Sequence, residues 1–415
     1  MLYSYKRNSD KRLKFKAVSS MLSSKRTIKS LTALFVGIPF VFMGNALILG
    51  SVGVILKQDG ASEAIVGLIG FCFFLGGTLG TTCAHRVIAK IGHIRAFGLF
   101  SALFSICIIL HILGSNLVFW AFLRVIMGFC YYALLIIIES WLNEKAKNAV
   151  RQRVLSFYEV VFCLSFGLGS LLIALNLQSS TLFIIAACLI MFSSIPLNLI
   201  RIKEPQMPAK SPISLPNVFS IAPLALVASF IGGMLMSGFY SMASLFVLLQ
   251  GYGAQGVSYF IAFGILGGFI AQSLIGFVSD RLGRKFSIIL CACVGLVTML
   301  LFAFFEFSLA AQFVLAVFLG MGIFCLYALA LARANDMLED KSKRVELGRA
   351  VLFSYSLGSL ISPLLLGFAM QVFDYKGFAY FYVLNLAFLI LFALNKPNKT
   401  GRHWRNFTSM GLNDD

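Results

Sequence analysis

The chain has 415 residues, 59% of them hydrophobic and only 12% charged, and it carries a formal net charge of +18. This composition excludes a soluble globular domain, because so many apolar side chains would have no core to enter. The excess of basic residues, 34 Lys and Arg against 16 Asp and Glu, reads as membrane topology and attraction to anionic lipid headgroups rather than nucleic-acid binding.

Residues 1–30 form a basic leader, with nine Lys and Arg between Lys6 and Lys29. Its charged region and the apolar run after it are both too long for a secretory signal, so it is expected to lie outside the working, membrane-spanning part of the chain. Apolar runs long enough to cross a ~30 Å hydrocarbon layer as helices then succeed one another. They fall at 31–56, 64–85, 95–114, 117–142, 152–176 and 180–200, and again at 220–249, 256–278, 286–304, 309–333, 347–371 and 376–395. Between the two sets lies a polar stretch with Pro205, Pro208, Pro212 and Pro216, read as a linker over 201–219. Residues 396–415 form a short tail.

Lys and Arg gather in alternate connections, at Lys90 to Arg95, Lys145 to Arg153, Arg201 to Lys210, Arg281 to Lys285 and Lys341 to Arg349. The intervening connections hold only Lys57 and Lys376. The positive-inside rule then places both termini, the linker and the tail in the cytoplasm, and requires an even number of spans. The expected architecture is an all-α membrane protein with twelve transmembrane helices in two pseudo-symmetric six-helix bundles, residues 31–200 and 220–395.

Two short words support a duplication. Phe129-Cys130-Tyr131-Tyr132-Ala133-Leu134 matches Phe324-Cys325-Leu326-Tyr327-Ala328-Leu329 at an offset of 195, and Leu168-Gly169-Ser170-Leu171 matches Leu357-Gly358-Ser359-Leu360 at 189. Both join corresponding helices of the two halves. Parallel repeats of this kind place a solute site near the bilayer midplane, between the halves.

The sharpest motif lies between the eighth and ninth helices: Gly276-Phe277-Val278-Ser279-Asp280-Arg281-Leu282-Gly283-Arg284-Lys285. Gly276 is expected to let helices approach closely, Gly283 to permit a tight turn, and Asp280 to accept hydrogen bonds from a neighbouring helix N-terminus. The segment resembles the G-x-x-x-D-R-x-G-R-K signature of the major facilitator superfamily, whose twelve-helix plan covers nearly the whole chain. The resemblance implies a state-dependent latch of the cytoplasmic gate, with Arg281, Arg284 and Lys285 as its basic members. In the first half Gly92 stands where Gly283 stands, but Ala89 and His93 replace Asp280 and Arg284, so a weaker or differently built latch is expected around Gly92 and Arg95. Gly92-His93-Ile94-Arg95-Ala96-Phe97 and Glu139-Ser140-Trp141-Leu142-Asn143 look like the YcaD-type subgroup of that superfamily.

Ionisable groups within the spans are few, and each is costly in lipid unless it faces a cavity or a partner. Arg124 opens Arg124-Val125-Ile126-Met127-Gly128, similar to the family's R-x-x-x-G pattern. It is read either as a holder of an anionic group or charge relay, or as a structural arginine bonded to carbonyls. Glu159 is the leading candidate for a proton carrier. Glu139 is either its neighbour across two consecutive helices or a structural partner of Arg95, His93 or Lys145. A direct Arg124–Glu139 pair would have to span roughly 22 Å of continuous helix at 1.5 Å per residue. Asn45, Tyr132, Tyr240, Gln272, Tyr327 and Tyr355 supply polar handles on the helices expected to line the cavity. His85 and His111 read as interface histidines.

No phosphate-binding loop, zinc-binding His-Glu-x-x-His helix or Cys-x-x-Cys pair is present, so no enzyme, cofactor or metal site is indicated. The expected function is a secondary active transporter of a small solute across the bacterial inner membrane, proton-coupled, working as a monomer among membrane lipids. Uptake and export stay equally open: the G-x-x-x-G-P word of drug exporters is missing, since no proline follows Gly167 and Gly169. A multidrug or metabolite exporter, a transporter-like receptor and a lipid scramblase are the alternatives.

Overall fold

The computed structural model describes residues 32–114, 116–145, 151–199, 219, 221–338 and 344–397. The leader at 1–30, nearly all of the 201–219 linker and the tail beyond 397 lie outside these residues. Twelve of the described helices are long and apolar enough to cross a membrane. In the first half they are α1 (Thr32–Gln58), α2 (Glu63–Ile91), α3 (His93–Leu110), α4 (Leu117–Lys145), α5 (Arg151–Leu171) and α6 (Ser179–Asn198). In the second they are α7 (Pro223–Leu249), α8 (Ala254–Leu282), α9 (Arg284–Phe304), α10 (Leu309–Met337), α11 (Arg344–Phe373) and α12 (Lys376–Leu394). Such uninterrupted apolar runs become helices because a backbone in hydrocarbon must satisfy its own hydrogen bonds.

The two halves repeat each other in detail. Gly60 and Gly251, which end the first turns of corresponding connections, both take φ near +86, and Gly92 and Gly283 both take φ 87. Each pair is 191 positions apart. All four need the left-handed region that only glycine enters freely. Gly92 and Gly283 each separate two helices by a single residue, donating backward to Ile88 and Ser279 and accepting forward from Ala96 and Ser287.

Helix pairing follows the same repeat. On α2 and α4, Gly76 lies against the Val125 carbonyl and Gly128 against the Phe73 carbonyl; on α8 and α10, Gly267 lies against Val317 and Gly320 against Gly264. Small residues bring backbones together where lipid offers no hydrophobic driving force of its own. The packing register between α4 and α10 is thus 192, as Gly128 and Gly320 show, and the aromatic ring that sits on Gly77 is Tyr132 while the one on Gly268 is Phe324. The Phe-Cys-x-Tyr-Ala-Leu words are three residues out of this register. α10 also turns at Phe324 and Cys325, between Leu309–Ile323 and Leu326–Met337, whereas α4 is continuous.

Across the halves, contact concentrates at the ends opposite the basic connections. Gly67 of α2 meets Pro363 and Gly367 of α11, and Gly70 meets Pro363 and Ser241. Ser258 of α8 donates to the Ser170 carbonyl of α5 at 2.8 Å. Toward the basic ends, described residues of α5 face those of α8, α10 and α11 across a cleft.

Candidate functional site

The cleft holds a cavity of about 470 Å³. Its walls come from α5 (Glu159, Phe162), α8 (Ile265, Gln272), α10 (Phe324, Tyr327, Asn335) and α11 (Tyr355), with Cys163, Met236 and further small and aliphatic residues between. Four of the sequence candidates, Glu159, Gln272, Tyr327 and Tyr355, are therefore brought together. Asn335 was missed: it stands two residues from the end of α10, in a stretch whose Arg333 and Asp336 make it look like a surface turn.

Glu159 is surrounded by protein and yet exposed, the combination a cleft produces. Glu139 is likewise enclosed and exposed, and the two carboxylates lie within electrostatic range of each other. Tyr327 and Tyr355 form an edge-to-face pair with centroids 5.0 Å apart, and the Tyr355 hydroxyl approaches the Met236 sulfur at 3.6 Å.

Above the cavity, aromatic rings join the halves. Tyr240 of α7 packs against Phe166 of α5 at 4.8 Å and against Phe324 of α10 at 5.6 Å. Its hydroxyl is buried without a partner. Tyr132 packs edge-on against Tyr131 at 5.7 Å, and Asn45, 1% exposed, lies beside Tyr131 with its Oδ1 unpartnered. None of Asn45, Tyr132 and Tyr240 lines the cavity itself.

Arg124 is apart from this cluster. It is 2% exposed, its guanidinium lies 5.4 Å from the Phe73 ring centroid, and its Nε and Nη1 have no hydrogen-bond partner. Because α4 runs unbroken from Leu117 to Lys145, it makes no pair with Glu139. His111 stands at the end of α3, and its ring faces the protein: it is 3% exposed, donates from Nδ1 to the Cys107 carbonyl at 2.7 Å and packs on Trp120 at 4.8 Å. His85 lies inside α2 rather than at its end.

At the basic ends, Arg284 contacts Asp280 at 2.8 Å, Asp336 of α10 at 3.2 Å and Ser279 at 2.5 Å. Lys285 donates to the carbonyls of Leu394, the last residue of α12, and of Lys396 just after it, and Arg281 lies over the Phe277 ring at 3.8 Å. One expectation needs correction here. Among the described residues nothing lies within 4 Å of a Cβ placed on Gly276, so none of their helices approaches it. Asp280 is 71% exposed and meets the neighbouring helix N-terminus through the side chain of Arg284, the first residue of α9. The motif thus ties α8, α9, α10 and α12 together within one half. In the first half His93 Nε2 meets Ser140 Oγ at 2.8 Å and its ring packs edge-on against Trp141, so α3 and α4 are joined as α9 and α10 are. Arg95 is exposed.

A twelve-helix chain in two repeated halves, meeting at one end and parting around a lined cleft at the other, defines a membrane transporter. The Major Facilitator Superfamily model matches residues 34–345, and the chain belongs to that superfamily. It is similar to the uncharacterized MFS-type transporter YcaD of Escherichia coli, 26% identical over 345 residues that span 82% of this chain and 88% of the relative. The YcaD protein of Salmonella arizonae is 25% identical over 336 residues, 79% of this chain and 85% of that one. Among solved structures the fold resembles the nucleoside transporter NupG, with TM-score 0.69 and 11% identity over 92% of this chain and 100% of that one. It also resembles a bacterial homologue of the human lysosomal transporter Spinster in an inward-facing, unoccupied conformation, with TM-score 0.68 and 14% identity over 89% and 95%.

Proposed function

We propose that the protein is a proton-coupled secondary transporter that moves a small solute across the bacterial inner membrane by alternating access. The observation that carries this reading is Glu159: among the described residues it is the one charged group on the cavity wall, with the Glu139 carboxylate in electrostatic range. A carboxyl group that reaches water only through the cleft can take up a proton in one state and release it in the other. The basic connections favour both termini in the cytoplasm, which makes the cleft inward-facing. The chain is proposed to act as a monomer, since the site is assembled from its own two halves.

Reconstituted vesicles test the reading. Glu159→Gln is expected to abolish accumulation driven by an imposed pH gradient while preserving counterflow exchange of the same solute. Unchanged accumulation would remove Glu159 from the coupling role, and lipid exchange without solute movement would replace the carrier with a scramblase.

A further inference from the structure

The chemistry of the cavity wall goes further than the carrier reading on which it rests. Among the described lining residues Glu159 alone bears a formal charge, and no described Lys, Arg or His joins it. The buried guanidinium of Arg124 is sequestered behind Phe73 and does not reach the wall. An anionic solute would therefore meet a carboxylate with no compensating cation, and like charges in a site of low dielectric repel strongly. Around Glu159 stand the rings of Phe162, Phe324, Tyr327 and Tyr355. Ring faces attract cations through their quadrupole, and a carboxylate beside them supplies the counter-charge. The other polar handles are Gln272, Asn335 and the Tyr327 and Tyr355 hydroxyls, and none of them carries a charge. The volume of about 470 Å³ falls in the ordinary range for small-molecule sites, roughly 300–1,000 Å³.

We propose that the cavity selects a monovalent organic cation with an apolar, ring-bearing body, and that this cation and a proton occupy the Glu159 carboxylate alternately. Both neutralise the same single charge, so each excludes the other. The remaining titratable groups facing Glu159 do not supply a second charge of ordinary strength. They are Tyr158 and Cys163 on α5, Tyr240 on α7, Tyr327 on α10 and Tyr355 on α11, and phenols and thiols are neutral near physiological pH. α1 presents the Phe42 ring to Phe162, and α8 presents Gln272. Among the described residues Glu139 on α4 is the one further carboxylate in range, and it is off the wall.

The test is ligand binding to the intact purified protein in detergent, with tetraphenylphosphonium and benzyltriethylammonium as cationic probes, triphenylphosphine oxide as the neutral one and tetraphenylborate as the anion. The cations are expected to bind with proton release, their affinity rising by up to about tenfold per pH unit while the carboxyl is still protonated. Glu159→Gln is expected to lose at least ~tenfold in cation affinity together with the pH dependence and the released proton, as for a lost charge pair worth more than ~1.4 kcal/mol. Its unchanged affinity for the neutral probe would show that the site is still folded, and Glu159→Asp should restore the pH dependence. Absence of binding by both cations, tighter binding of the anion, or cation affinity that ignores pH or survives Glu159→Gln overturns the proposal. Pronounced loss of proton release in Glu139→Gln but not in Glu159→Gln also overturns it, by moving the exchange to the other carboxylate. Transport is read separately: cation binding with proton release in a protein that moves nothing across vesicles would sink the carrier reading and leave this one standing.

Discussion

Arg284 holds three partners at once, yet two of them are partly exposed carboxylates, and such pairs contribute only about 0–1 kcal/mol. Asp280→Asn should accordingly change the thermal stability of the protein in detergent very little. If Asp280 serves as a latch, its effect appears in the balance of states, and cysteine accessibility of the cleft should differ between mutant and parent. Indistinguishable accessibility would reject the latch. The close-approach glycines behave differently: a Cβ at Gly128 would strike the Phe73 backbone, whereas one at Gly167 meets nothing within 4 Å. Gly128→Ala is expected to destabilise by about 1–3 kcal/mol through overpacking. Gly167→Ala should be neutral or stabilise by up to about 1 kcal/mol, since alanine is the better helix former. Thermal unfolding of the two variants side by side checks the contrast. The sequence could not separate such glycines, because spacing alone does not say which face of a helix meets a neighbour; Gly276, expected at a contact, faces open space for that reason.

At the level of helices, legibility followed physics closely. Every span was readable, because an apolar run of sufficient length in a chain of this composition has one favourable structure. Ends were less so: α2 and α8 run on to Ile91 and Leu282, past the charged residues Arg86, Lys90, Asp280 and Arg281, whose long or terminal side chains reach water while the backbone stays helical. The turn in α10 was not legible, since Phe324 and Cys325 carry no proline or glycine signal of their own. It nevertheless matters to the site. It directs the Phe324 ring onto Gly268 and against Tyr240, completing with Phe166 an aromatic septum between the cavity and the sealed end. Phe324→Ala should weaken that septum, raising access of small thiol reagents to a cysteine at the cavity from the opposite side by several-fold; equal labelling rates would show that the seal lies elsewhere.

For the molecule as a whole, the candidate site was half legible. Glu159, Gln272, Tyr327 and Tyr355 were found because a polar group in an apolar helix needs a reason to be there. Asn45, Tyr132 and Tyr240 obeyed the same rule but are used between helices, a distinction that depends on how the halves dock. That docking is tightest where Gly67 meets Pro363 and Gly367. Gly67→Leu is expected to prop this seam open and shift spin-label distances across it toward the outward-open arrangement. An unaltered distance distribution in a well-folded variant would argue against rigid-body rocking about the seam.

Among the described residues the seam is built from backbone and small side chains with no charge pair across it, while the far end of the second half carries Arg281, Arg284 and Lys285. Mobile ions screen charges over about 10 Å at 0.1 M, and they leave uncharged contacts almost untouched. The half of the working cycle that parts the glycine seam should thus run at the same speed in dilute and concentrated electrolyte, and only the closing of the basic mouth should respond.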